Sequence, residues 1–381
     1  MRIIYVTTSI EESDYVDFSK TWSISLNPSN QNFHNKIIRS LAMYCKIDVF
    51  SIRPYSRTKC HINRLFYERK EFGNITYHYL GIPRIKYFRG FSLSKQVKKL
   101  MPSIQNGKTV LITDTINPLC IQLANFIKKN YGVPIIGICT DSPLNITNTN
   151  HLYSSFILNN TKNLDGYMCL TSGLNTLFNK DNKPSVIFEG VVERNQKSLE
   201  VKGKYFFFGG ALLERYGIYQ LIDAFKRIKN KDVSLIVCGH HQDEKLELAI
   251  EGDNKIKYLG TIPVKDVLAL ENNAIANINP RPYDDKLDKY SIPSKTIEYL
   301  SSGALTISVR NSELQKRFSD CAIWINSNDT EDLKAAMEKA LSMSESERKK
   351  VAEKAKNTAK SLYSFEKIGK LLTDFLSNFV K

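Results

Sequence analysis

Twice along this 381-residue chain, short apolar runs of strand length alternate with helix-length stretches of mixed polarity. That alternation restricts the fold more than any other feature. In the first series, apolar runs at 3–7, 47–51, 109–113, 134–139, 166–170 and 185–188 are separated by helical stretches near 33–44, 92–101, 118–129 and from about 155. The second opens with Tyr205-Phe206-Phe207-Phe208-Gly209-Gly210. It continues with strands at 234–238, 256–259, 276–278, 305–309 and 322–325, and with helices at 218–229, 264–271, from Pro293, and at 330–343. Each series predicts an α/β domain with a parallel, doubly wound sheet, and such sheets place ligands at the carboxyl ends of their strands. The polar stretch 193–204 reads as the linker, so the expected domains are residues 1–195 and 196–362, followed by an amphipathic tail over 363–381.

Composition agrees with a folded, two-domain protein. The chain is too long for one ordinary core and is 42% hydrophobic. No apolar run approaches the roughly 20 residues needed to span a bilayer. The start, Met1-Arg2-Ile3-Ile4-Tyr5-Val6, enters a buried-strand pattern with no signal-peptide region, so a cytoplasmic location is expected. Seven cysteines at 45, 60, 120, 139, 169, 238 and 321 are scattered, mostly in apolar runs and without a C-x-x-C pair. They read as reduced core residues rather than as disulfides or a zinc site.

Charge is unevenly placed. Between Lys36 and Lys108 stand 16 Lys/Arg against three acids, a net +13 within a chain whose total is +15. In this segment the run 83–101 interleaves bases with Ile85, Tyr87, Phe88, Phe91 and Leu93, the composition of a surface that meets an anionic membrane. A plain solvated basic face has the same composition. Nucleic acid is not expected, because no helix-turn-helix, zinc-finger or aromatic RNP pattern accompanies the bases.

The stretch Tyr290-Ser291-Ile292-Pro293-Ser294-Lys295-Thr296-Ile297-Glu298-Tyr299-Leu300-Ser301-Ser302-Gly303 carries the most chemistry. Pro293 at the first helical position opens a short helix, and Gly303 closes it before the apolar run 304–309. The free N–H groups at such a helix start attract phosphate, Ser294 and Lys295 stand there, and Lys295 adds a point charge. One turn in, Glu298 can accept two hydrogen bonds from a ribose diol. An amphipathic helix with solvated charges would use the same residues.

This segment resembles the donor-binding domain of retaining glycosyltransferases of family 4, in particular the bacterial capsular and exopolysaccharide branch, whose pattern is roughly Y-S-x-P-S-K-x-x-E-Y-x-x-S-G. The resemblance implies a GT-B fold, two Rossmann-like domains facing across a cleft, with the tail crossing back onto the first. Two departures stand out. The family's G-R-x-x-x-x-K-G clamp meets Ala211 and Tyr216 here, which moves the diphosphate role to the neighbouring Arg215. The family's E-x7-E pair meets Tyr290 before Glu298, so no carboxylate nucleophile is supported at that position.

Further candidates sit at other strand ends. Gly209 and Gly210 let backbone approach a ligand closely. Gly239, followed by His240 and His241, ends the next strand, where the family's backbone lines the nucleobase. Arg281 lies in Asn279-Pro280-Arg281-Pro282-Tyr283 and can touch phosphate or sugar, with Asp284, Asp285 and Asp288 close behind. In the first domain, Asp141 in Thr140-Asp141-Ser142-Pro143 is a candidate to orient a hydroxyl, or an Asx-turn cap. His34, behind the loop from Asn27, is a candidate polar contact on the acceptor side.

The expected activity is hexosyl transfer from a UDP- or GDP-sugar to a polyprenyl diphosphate-linked oligosaccharide in surface polysaccharide assembly (capsule, exopolysaccharide or O-antigen). Arg215, Lys295 and Asp141 are the expected catalytic groups, with no metal or cofactor required. The protein is expected at the inner face of the cell membrane, held peripherally by 36–108. Two rivals use the same features: a nucleotide-sugar epimerase of the same fold, and a basic adaptor without catalysis.

Overall fold

The strand runs of the sequence become strands because almost every residue in them is enclosed. Ile3, Ile4, Tyr5 and Val6 are fully buried within the Arg2–Thr7 strand, and Tyr205, Phe206, Phe207 and Phe208 are buried within Tyr205–Gly209. Continuous rather than alternating burial is the mark of a parallel strand covered on both faces. The computed structural model describes all residues except 23–27, 56–62, 105–106, 147–148, 193–202, 231, 241–244 and 381. The expected linker therefore lies mostly outside the described residues, as do Asn27, Cys60 and His241.

Contacts divide the chain into two units. The first holds the described residues of Met1–Glu193, Lys289–Ser291 and Tyr363–Lys381, and the second those of Arg194–Asp288 and Ile292–Leu362. The sheet of the first unit runs, in spatial order, Ser185–Ile187, Gly166–Cys169, Ile135–Cys139, Thr109–Asp114, Arg2–Thr7, Lys46–Ser51, Ile75–Tyr79 and Glu68–Phe72. All neighbours pair in parallel except the last two strands, which form an antiparallel hairpin. The hairpin escapes the sequence pattern for a physical reason. Glu68-Arg69-Lys70-Glu71-Phe72 is a charged, largely exposed edge strand, the kind that discourages edge-to-edge pairing and offers no apolar run.

The second sheet is wholly parallel, in the order Ile256–Tyr258, Ser234–Cys238, Tyr205–Gly209, Ala276–Asn279, Leu305–Val309 and Ile323–Ile325. In both units the first strand is central, the chain winds outward to one side and then returns to build the other. The direction reverses beside Arg2–Thr7 in the first sheet and beside Tyr205–Gly209 in the second, and these reversals open crevices at the strands' carboxyl ends.

Two C-terminal helices complete the units. Glu345–Tyr363 has no counterpart in the apolar pattern because its buried stripe is Ala352, Ala355 and Ala359, residues too small to signal a face, until Tyr363 closes it. Phe365–Ser377 packs against the Pro28–Ala42 helix through Ile368, Leu372 and Leu376. At their closest approach a Cβ on Gly369 would lie 2.3 Å from Ser40 O, so the crossing depends on a glycine there. Tyr363 is hydrogen-bonded to the Glu189 carboxylate, and Val192 N–H donates to Tyr363 O at 2.8 Å. The six cysteines among the described residues are free and buried.

Candidate functional site

In the second unit the reversal crevice is floored by backbone. Gly239 ends the Ser234–Cys238 strand with φ +135°, and a Cβ on it would meet Gly210 O at 1.7 Å. Only glycine allows the two strand ends to approach so closely. The turns are pinned by Gly210 N–H to Cys238 O (3.0 Å), Leu212 N–H to His240 O (2.9 Å) and Gly239 N–H to Gly260 O (2.8 Å). Across the crevice, Gly217 at φ +80° packs against the carbonyl of Pro280, where a Cβ would stand 2.1 Å from oxygen. No side chain caps the Ile218–Lys226 helix that follows.

The helix Ser294–Ser302 brings its start to the same place. Pro293 occupies the cap position rather than the first helical residue, no side chain caps the helix, and Gly303 ends it in the left-handed conformation. The helix is tied down from beneath. Tyr299 Oη accepts from Gly209 N–H at 3.0 Å and donates to Gly209 O at 3.3 Å, while Asn279 Nδ2 donates to Thr296 Oγ1 at 2.8 Å. Thr296 Oγ1 in turn lies 3.0 Å from Ser308 Oγ. These buried bonds connect the helix to three strands, so its polar face is held in a fixed register.

Lys295 lies over the glycine turn, its Cε 3.9 Å from where a Cβ on Gly210 would be. Its ammonium is 2.8 Å from Glu298 Oε2 and 3.7 Å from Glu271 Oε1. The side chains of Lys295 and Glu298 are 34% and 26% exposed, whereas that of Glu271 is 2% exposed. Burial disfavours the charged lysine, but Glu298 and Glu271 outweigh it and hold its pKa well above the usual lysine value. Lys295 is therefore a fixed cation. Burial, with a contribution from Glu271, pushes the Cys238 thiol up to about 11 against the opposing effect of Lys295.

Five of the sequence candidates thus converge: Gly209, Gly210, Gly239, Lys295 and Glu298. Ser294 is exposed at the helix start. Arg281 is half-buried and attracts the carboxylate of Asp288, whose pKa is raised by burial and by Asp284 and Asp285 against the pull of Arg281 and a hydrogen bond from Asn311. Arg215 follows the Gly209 and Gly210 turn in the chain. It stands exposed on the turn Glu214–Tyr216, its guanidinium 5.1 Å from the centre of the Tyr216 ring. Tyr290 belongs to the first unit and packs against that unit's core. Its neighbour Lys289 offers a carbonyl to Thr171 Oγ1 at 2.8 Å.

Glu271 and Tyr299 were not singled out from sequence. For Glu271 a signal existed: it follows Val267 by four residues on the Val264–Asn273 helix, a carboxylate on the stripe that Val267 and Leu270 turn toward the core.

The first unit treats its reversal point differently. His34 is fully buried, so the expected acceptor-side contact is corrected to an interior group: its Nδ1 is 2.8 Å from Tyr5 Oη and its Nε2 is 3.5 Å from Asp114 Oδ2. The Pro28–Ala42 helix runs under the sheet, and Phe33 packs edge-on against the imidazole. Asp141 stays exposed in the loop after Ile135–Cys139. Burial first, then Asp114 and Asp141, push the Tyr153 phenol up to about 12. Among the described residues, no group of three or more His, Cys, Asp or Glu side chains is placed to hold a metal, and no helix is long and apolar enough to cross a membrane.

Two Rossmann-like α/β units with this topology define a GT-B fold, and solved structures with the same fold span the whole chain. A sucrose-phosphate synthase from Thermosynechococcus elongatus superposes with a TM-score of 0.70 at 11% identity, covering 99% of each chain. The E. coli trehalose-6-phosphate enzyme bound with UDP-2-fluoro glucose gives 0.69 at 11%, again over 99% of each. An α,α-trehalose 6-phosphate synthase from Burkholderia multivorans gives 0.67 at 12%, covering 99% of this chain and 96% of that one. Residues 192–358, which contain the whole converging cluster, match the family model described as glycosyl transferases group 1. The chain is an enzyme of the glycosyltransferase class. No curated protein sequence matches it.

Proposed function

We propose that this enzyme moves a sugar from a nucleoside diphosphate sugar onto a lipid-linked oligosaccharide during surface polysaccharide assembly, with retention of configuration. The observation that carries the donor half is the meeting of the Gly210 and Gly239 turns with Lys295 and Glu298 at one crevice. Backbone turns and a helix start receive the diphosphate, and Glu298 receives the ribose diol. As the bond between the anomeric carbon and the diphosphate oxygen breaks, its electron pair leaves with the nucleotide. The acceptor oxygen bonds to that carbon from the same face, and its proton passes to the departing phosphate. Arg215, Arg281 and Lys295 are the cations that offset the growing charge. Tyr290, in place of an acid, leaves this leaving-group route as the one the residues support. The sugar phosphate synthases of the same fold, one of them bound with a UDP-sugar analogue, support a UDP-sugar as the first donor to test. No metal is required in this scheme, so activity persists in chelator; loss of activity in chelator and recovery with Mg²⁺ or Mn²⁺ would refute that part.

The acceptor half rests on the first unit's surface. Ile85, Phe88 and Phe91 are well exposed and Tyr87 is 94% exposed, on the turn Lys86–Phe88 and the following Arg89–Ile104 helix. In the short ladder of Arg64–Leu65 with Ile82–Pro83 the register sets Phe66, also exposed, opposite Gly81. Apolar rings among bases suit an anionic membrane face, where each nearby Lys or Arg contributes about 1 kcal/mol. Reversing Lys95, Lys98 and Lys99 to Glu should release the protein from anionic vesicles and slow transfer to a lipid acceptor while UDP binding persists. Wild-type protein that ignores anionic vesicles at low salt would sink the membrane reading and favour a soluble sugar phosphate acceptor.

A further inference from the structure

Lys295 is shared by two carboxylates, and the two are not equivalent. Glu298 lies on the same helix, partly open to the crevice, whereas Glu271 approaches from the Val264–Asn273 helix and is enclosed. The groups facing the ammonium are Glu298 and Tyr299 from its own helix, Glu271 from the neighbouring one and Cys238 from a strand end. With the acids ionised, Lys295, Glu298 and Glu271 together carry one negative charge. A ligand diphosphate is also an anion, so Lys295 by itself does not make this crevice cationic. A buried carboxylate that close to a ligand anion needs a reason to be there.

We infer that Glu271 is a positioning residue, which holds the Lys295 ammonium over the Gly210 turn when Glu298 leaves it to bind the ribose diol. Lysine is a compact charge on a flexible four-carbon stem. When Glu298 gives its oxygens to a ligand, the 2.8 Å pair loosens, and a lysine without a second partner would rotate away from the turn. Glu271 stays, because it is enclosed by the helix and strands that Tyr205, Phe207, Ile236 and Leu270 fill. The division of labour is then definite: Glu298 exchanges partners between free and bound states, and Glu271 does not. This rests on the donor reading given above.

Three variants and two readouts test it. Glu271→Gln should weaken UDP, measured by calorimetry, by about tenfold, the factor that 1.4 kcal/mol gives. Glu271→Asp should recover part of that loss. In a Lys295→Met background, Glu271→Gln should cost no further affinity and should recover thermal stability, because the first change takes the ammonium away from a buried carboxylate and the second removes that carboxylate's charge. The second readout needs no nucleotide: acetylation of Lys295 by acetic anhydride, followed by mass spectrometry, should be slow in the wild type and several-fold faster in Glu271→Gln, with Glu271→Asp again intermediate. If Glu271→Gln binds UDP as the wild type does and leaves Lys295 acetylation unchanged, the inference is overturned. If wild-type protein binds neither UDP nor GDP, the donor reading fails, and the acetylation rates still decide whether Glu271 holds Lys295.

Discussion

The two units share a topology and use it in opposite ways. At the reversal point of the second sheet, glycine turns and partly exposed charges face the crevice. At the matching point of the first sheet, Tyr5, His34 and Asp114 fill the space with side chains, and His34 is fully buried. A parallel doubly wound sheet supplies a crevice by geometry alone. Whether that crevice receives a ligand depends on what the loops put there: backbone N–H groups and solvated charge in one unit, a closed polar contact in the other. The comparison also separates two kinds of polar residue. Those of the second unit are held in place by buried bonds beneath them, while those of the first are themselves part of the interior.

The largest expected effect breaks the open crevice. Gly239→Ala sets a Cβ against Gly210 O at a backbone angle of φ +135°, and strain of this kind costs about 3 kcal/mol or more at the site. UDP affinity should fall at least about a hundredfold. Unaltered affinity in calorimetry would show that the two turns do not form the nucleotide floor.

Next comes the closed side. His34→Ala removes the partner of Tyr5 Oη, opens a cavity and leaves Asp114 without its neighbour. Stability should drop by about 2–3 kcal/mol in denaturant unfolding, with UDP binding by the folded protein intact. Full stability combined with lost transfer would instead return His34 to a role at the acceptor.

A smaller effect is expected from Glu298→Gln, which keeps the shape of the side chain and removes its charge. Loss of a charged hydrogen bond costs about 1.5 kcal/mol or more, so the donor Kd should rise roughly tenfold while the melting temperature changes little. A variant whose Kd is unmoved would refute the ribose assignment.

The smallest effect concerns pH. In the first unit Asp48 is enclosed, and although burial alone would raise its pKa, hydrogen bonds from His78 and from Arg2 (2.6 Å) prevail and lower it. A depressed carboxyl pKa stabilises the fold above the unfolded value of about 3.9 and loses that contribution as pH falls through the folded value. Wild-type protein should therefore lose stability on acidification below about pH 4, and Asp48→Asn should flatten that slope. An unchanged slope in the variant would assign acid sensitivity to other carboxylates.

Much of the fold was legible because continuous apolar runs have one common solution, the covered parallel strand. The elements that escaped lacked that signal: the charged strand Glu68–Phe72 earns its place by pairing with Ile75–Tyr79, and Glu345–Tyr363 buries three alanines before its last residue, Tyr363. In the site, Pro293, Lys295, Glu298 and the glycines were legible because helix starts and close backbone approaches demand particular residues. Glu271 was legible only as a carboxylate on a core-facing stripe, since nothing in its local sequence tells that its helix lies against the one bearing Lys295.

The sequence by itself determined two α/β units, the approximate ends of the helix that bears Lys295 and the need for glycine at the strand ends, all of which follow from local sterics and the periodicity of burial. Tertiary structure decided the rest. It enclosed His34, assigned Tyr290 to the first unit's core, left Arg215 on an exposed turn and placed two carboxylates around one lysine. The physical reason is range: sterics and periodicity act within a few residues, whereas burial and the partner of a charge are set by whichever segments the sheet order brings alongside.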